Sequence, residues 1–125
     1  MSALCVLLDG VRTLHAVSVF TLAWTHSVEH VRWEESWRVG EAGLVIEEAR
    51  VRGSGAGMEP GEDAVFDGHW WRWRPSLPAQ TEILLARSGA TGGQWQLCTA
   101  NGCTTLPETP GGAAAPAALF VCKDG

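Results

Sequence analysis

Four residues in the first half of the chain have the types and spacing to form a chemically active cluster: His26, Glu35, Glu48 and Arg50. The segment Phe20 to Val39, FTLAWTHSVEHVRWEESWRV, reads as two strands whose side chains alternate between faces. Phe20, Leu22, Trp24, His26 and Val28 share the apolar face of the first strand, and Trp33, Glu35, Trp37 and Val39 that of the second. A tight turn at His30-Val31 sets His26 opposite Glu35 and Trp24 opposite Trp37. A loop over Gly40 to Gly43 then sets Trp37 opposite Ile46, Glu35 opposite Glu48, and Trp33 opposite Arg50. Two carboxylates, a guanidinium and an imidazole on an apolar surface are tolerable only when paired, with His26 protonated and its pKa raised by the acids. Such a group either fixes strand register as an ion network or recognises a small polar ligand. A metal on His26, Glu35 and Glu48 is opposed by the neighbouring arginine, so no metal and no cofactor is assigned.

Other motifs carry less. Gly53-Ser54-Gly55-Ala56-Gly57 follows the strand bearing Arg50. It reads as a bulged strand exit or as a nest of N–H groups for an anion, with Gly55 and Gly57 as candidate ligand contacts. Its spacing fits neither a dinucleotide-binding nor a P-loop motif. In His69 to Arg74, HWWRWR, Trp71 and Trp73 share one face, while Trp70, Arg72 and Arg74 share the other. That strip reads as a strand feeding two tryptophans to the core, with arginine stacking on tryptophan on the far side. Ser27 adjoins His26, but neighbours on a strand point to opposite faces, so they form no nucleophile–base pair.

The elements that must position these residues are strands. Short Val-, Leu-, Thr- and Trp-rich stretches are separated throughout by Gly, Pro or Asn-Gly signals, and no stretch sustains helical periodicity. Strands are expected near 3–8, 13–17, 19–29, 32–39, 44–52, 69–74, 81–87, 94–98, 103–106 and 118–122. The fold class is therefore all-β, a compact antiparallel sandwich or barrel of about 8–10 short strands. Residues 1–125 form a single domain, since the chain is long enough for one core and short for two. Residues 107–116, PETPGGAAAP, are low-complexity and read as a mobile loop.

The chain has four cysteines. Cys98 and Cys103 flank an Asn-Gly turn and face each other across it; Cys5 and Cys122 lie on terminal strands, which often pair. Two disulfides, and with them an oxidising compartment, are the preferred reading. A four-cysteine zinc site and four core thiols are the alternatives, although the C-x4-C spacing is loose for zinc. Seven tryptophans with no tyrosine point to an aromatic core with several N–H groups to satisfy. The net charge of −5, with nine scattered basic residues, argues against nucleic acid and anionic membranes as partners. No apolar run approaches the roughly 18 residues of a membrane helix, and Leu4 to Leu8 reads as a first strand rather than a signal peptide.

FTLAWTHSVEHVRWEESWRV, with LVIEEARVRGSGAGMEP (Leu44 to Pro60) and DGHWWRWRP (Asp67 to Pro75), resembles the bacterial domain-of-unknown-function family 1850 (DUF1850). The matching residues are His26, Ser27, Val28, Glu29, Glu35, Glu48, Gly55 and Gly57; His30 departs from the expected lysine. The late cysteine pair and the terminal cysteine are also similar. The resemblance implies a small exported or membrane-tethered protein, often encoded beside permeases of tripartite ATP-independent periplasmic (TRAP) transporters. It carries no activity over to this chain. The expectation is a non-enzymatic periplasmic accessory protein that binds a transporter component or a small anionic solute. The alternatives are a small hydrolase or metal-dependent enzyme using His26 and Glu35, and a purely structural stabiliser of a permease.

Overall fold

The computed structural model describes residues 2–25, 31–53, 63–86, 95–106 and 116–123. They form eleven strands and no helix, arranged as two antiparallel sheets packed together. The small sheet has the order β2-β1-β11-β8, from β1 (Ser2–Leu8), β2 (Val11–His15), β8 (Glu82–Leu85) and β11 (Ala117–Lys123). The large sheet has the order β10-β9-β3-β4-β5-β7-β6. Its strands are β3 (Val19–Thr25), β4 (Arg32–Val39), β5 (Leu44–Arg52), β6 (Val65–Phe66), β7 (Trp70–Trp73), β9 (Gln96–Thr99) and β10 (Gly102–Thr105). The expected all-β sandwich is thus the observed one. The expected loop at 107–116 lies, except for Pro116, outside the described residues.

Alternation builds the core. Leu4, Val6, Leu119 and Leu85 of the small sheet are buried with Phe20, Leu22, Trp37, Leu44, Ile46 and Leu97 of the large one. Both disulfides form: Cys5–Cys122 joins the two terminal strands, and Cys98–Cys103 links directly opposed residues of β9 and β10. Among the described residues no cysteine is free, which removes the zinc and free-thiol alternatives. Glycine is required at position 43. Its φ is +144°, and a Cβ there would lie 2.6 Å from the Gln80 carbonyl oxygen, where Leu44 and Gln80 exchange two backbone hydrogen bonds of 2.8 Å.

Two registers differ from expectation. In β3–β4 the partners are Trp24 with Trp33, Leu22 with Glu35, and Phe20 with Trp37, and the ladder ends at Thr25–Arg32. Trp24 therefore does not face Trp37, and residues 26–31 separate the strands in place of a two-residue turn. The observed register stacks Trp24 on Trp33 (5.6 Å) and Phe20 on Trp37 (6.3 Å). Both registers keep the same side chains inward, because they differ by an even number of residues. In β4–β5 the Gly40–Gly43 connection, Val39 opposite Leu44, and Trp37 opposite Ile46 are as expected. A bulge then intervenes: Ser36 pairs with Glu48, leaving Glu47 without a partner in the ladder.

Candidate functional site

The bulge at Glu47 decides where the charged residues go. One extra residue in β5 reverses the face of everything beyond it. Ala49 and Val51 turn inward, both buried, and Glu48 and Arg50 turn outward. Glu35 stays on the inner face, where its neighbours across the strands are Leu22 and Ala49. The expected cluster is accordingly divided. Glu48 and Arg50 meet on the outer face, Glu35 lies on the inner face without them, and His26, Gly55 and Gly57 fall outside the described residues.

Glu35 accepts one hydrogen bond, 3.1 Å, from the Trp37 indole nitrogen. Burial raises its carboxyl pKa above the usual carboxylate value, and the Trp37 hydrogen bond draws it back only in part. Along the same face Trp24 packs on Trp33 and on Trp95 (4.6 Å), and Trp33 meets Trp73 edge-on at 6.2 Å. The buried Trp71 indole nitrogen has no hydrogen-bond partner among the described residues. This surface is aromatic and acidic, and among the described residues no cation accompanies Glu35.

On the outer face the register aligns Glu34 (β4), Arg50 (β5) and Arg72 (β7) in one row. Arg50 is engaged through all three nitrogens: Nε donates to Glu34 at 2.8 Å, Nη1 to the Ser36 hydroxyl at 2.9 Å and to Glu48 at 3.1 Å, and Nη2 lies 2.7 Å from Glu34. The same Glu48 oxygen accepts from Arg72 at 2.6 Å, so one carboxylate bridges two guanidinium groups that would otherwise repel. Arg72 continues to Asp67 (2.6 Å), and Glu34 to Arg32 (2.6 Å), which reaches Gln96 of β9 at 3.2 Å. Trp70 completes the strip, with the guanidinium carbons of Arg50 and Arg52 each 5.8 Å from its ring centre.

The titration directions describe a satisfied network. Burial alone would raise the Glu34 carboxyl, but hydrogen bonds from Arg32 and Arg50, with their charges, outweigh it and hold its pKa below the usual value. The Arg72 hydrogen bond and the backbone N–H groups of Trp70 and His69 hold Asp67 well below the carboxylate range. Asp67 in turn raises Arg72. Glu34, Ser36 and Asp67 were not among the residues singled out from sequence, and Arg72 was placed beside Trp70 but not with the Glu48 and Arg50 cluster. Their signal was the second face of the same strands, where Glu34 and Ser36 alternate with Glu35; the face itself was legible, but its partners depended on the bulge.

One concavity of about 470 Å³ lies between Val19, Thr21, Ser36, Glu47 and the Cys98–Ala100 corner. Another, about 250 Å³, opens between the sheets at Val6, Leu8, Val11, His15 and Leu106. Neither is lined by Glu35, Glu48 or Arg50. No group of three or more His, Cys, Asp or Glu among the described residues is placed to hold a metal ion. The family model described as Domain of unknown function (DUF1850) matches residues 20–106. No curated protein and no solved structure gives a significant match to the chain. The matched segment contains the large sheet, except for Val19 at the start of β3, together with β8, and β1, β2 and β11 lie outside it.

Proposed function

The chain belongs to the DUF1850 family, and from that premise we propose a non-enzymatic, extracytoplasmic accessory protein of a solute transporter, of the TRAP type that the family resemblance implies. Two closed disulfides support an oxidising, exported setting. Of the two partners expected from sequence, the geometry favours a protein component of the transporter over a small anionic solute. The observation that carries this choice is the engagement of Arg50 by Glu34, Ser36 and Glu48. Four of its five N–H donors already serve Glu34, Ser36 and Glu48, so an incoming anion meets two carboxylates that belong to the fold. What the large sheet presents instead is a rigid, laterally bonded strip of mixed sign around Trp70 with Arg52 beside it, a composition suited to a protein interface.

The test uses the oxidised full-length chain and the purified transmembrane subunit of the adjacent transporter. Binding is expected, and Trp70→Ala is expected to weaken it by roughly tenfold or more, as a central aromatic contact does. In parallel, thermal-shift measurements with millimolar mono- and dicarboxylates are expected to leave the melting temperature unchanged. A carboxylate-induced rise that disappears in Arg50→Met would overturn this choice in favour of the solute. Cell fractionation that finds the native protein in the cytoplasm would sink the extracytoplasmic reading.

A further inference from the structure

The strands β1, SALCVLL, and β11, AALFVCK, are apolar at nearly every position, on both faces. A strand that packs on one side only alternates with polar residues, and a continuous apolar run belongs where both faces are covered. The inner face of the small sheet is covered by the large sheet. Its outer face is open at its leucines, Leu84 58% exposed, Leu14 43% and Leu7 40%, while the smaller Cys5 and Ala118 between them are buried. The register lays this face out as two rows. Leu14, Cys5, Phe120 and Glu82 form one; Arg12, Leu7, Ala118 and Leu84 form the other. The centre is apolar and includes the Cys5–Cys122 disulfide. Arg12 and Glu82, both exposed, occupy opposite corners of the diagonal.

We propose that this face is the contact surface of a homodimer, with a second copy of the chain as its occupant. The argument is charge complementarity under symmetry. Among the described residues the face carries one cation and one anion, at diagonal corners, and is net neutral. A two-fold axis lying in the face, perpendicular to that diagonal, exchanges the corners. Arg12 of each copy then meets Glu82 of the other, twice, while the exposed leucines of the two copies, Leu7, Leu14 and Leu84, cover one another. A partner charged in a single sense would satisfy one corner and oppose the other. Four strands of this length span roughly 20 by 20 Å, about half the area per partner of a standard interface, so the pair is weak and concentration-dependent. This inference is independent of the transporter reading, which rests on the large sheet.

The experiment is sedimentation equilibrium of the oxidised full-length chain at low salt, from roughly 10 μM to 1 mM, the range in which a small interface associates. The expected result is a monomer–dimer equilibrium. Arg12→Glu and Glu82→Arg should each weaken association by about tenfold or more, because the symmetry doubles every like-charge contact. The combined variant should restore it. Leu84→Glu should abolish the dimer without lowering the melting temperature; if that variant fails to fold, the two exposed charge variants still decide the matter. A monomer throughout the range, a dimer indifferent to these substitutions, or a double variant that does not recover would each overturn the proposal.

Discussion

The two sheets turn opposite kinds of surface away from the core. The outer face of the large sheet is a chain of paired charges running Gln96, Arg32, Glu34, Arg50, Glu48, Arg72, Asp67. The outer face of the small sheet has leucines, a phenylalanine and a disulfide in the corresponding place. The large sheet follows the rule for an antiparallel sheet with one wet side, and the small sheet breaks it. The difference teaches that the charged strip, conspicuous as it is, behaves as structure, because its groups satisfy one another. The exposed apolar surface made by strand leucines lies on the other sheet.

Substitutions can break or sharpen this contrast. The largest effect is expected at the small sheet's disulfide. Cys5–Cys122 closes the chain across 117 residues and Cys5 is wholly buried, so replacing both by alanine should cost about 4 kcal/mol, read by urea denaturation. The Cys98–Cys103 pair, separated by only 5 residues, should cost about 2 kcal/mol by the same loop-length argument. Equal losses would mean that loop length does not govern either.

Next comes Arg50→Ala. The side chains of Arg50 and Glu34 are only 16% and 15% exposed, and removing the cation leaves Glu34 and Glu48 with a partly buried charge to accommodate. The expected loss is about 3 kcal/mol at pH 7. The Glu34 contribution has a defined sign. Its folded pKa is lowered, so its stabilisation is present above the unfolded value of about 4.3 and is lost as pH falls through the lower folded value. Arg50→Ala should therefore flatten the acid limb of the stability profile. By contrast Leu84→Ser, on the exposed apolar face, should change monomer stability by no more than about 0.5 kcal/mol. If Arg50→Ala were as mild as Leu84→Ser, the ion ladder would be decoration and the contrast would fail.

The smallest effect is at Glu35, with the opposite sign. Its pKa is raised by burial, so the ionised form destabilises the fold as pH rises through the unfolded value toward the folded one. Glu35→Gln keeps an acceptor for the Trp37 indole and removes the charge. Its melting temperature should match the parent at pH 4 and exceed it at pH 7. A variant less stable than the parent at pH 7 would mean that the carboxylate has a compensating partner.

Much of the fold was legible from residues. The Asn101-Gly102 turn with a cysteine on either side predicted the β9–β10 hairpin and its bridge, and Gly40 to Gly43 predicted the connection that pairs Val39 with Leu44. The inward positions of Trp33, Glu35, Trp37, Trp71 and Trp73 followed from alternation. The short strand β6, Val65–Phe66, was not expected: two residues are too few to show a period. The composition of the candidate site was less legible, since Glu34, Ser36, Asp67 and Arg72 had to be brought to Glu48 and Arg50 by registers that no single strand encodes.

By itself, then, the sequence determined which side chains share a face within each strand, because that follows from covalent geometry and holds whatever the strand pairs with. It determined the class of fold, the disulfide partners of a tight hairpin, and the doubly apolar character of β1 and β11. Only the tertiary structure decided which faces meet. The β3–β4 register could slide by an even number of residues without exposing a single apolar group, and stacking of Trp24 on Trp33 settled it. The bulge at Glu47 leaves no mark in a run of Glu-Glu-Ala-Arg, yet one unpaired residue moved Arg50 from beside Glu35 to beside Glu34. A period of two carries no memory of an insertion, and that is why the site had to be read from the assembled sheet.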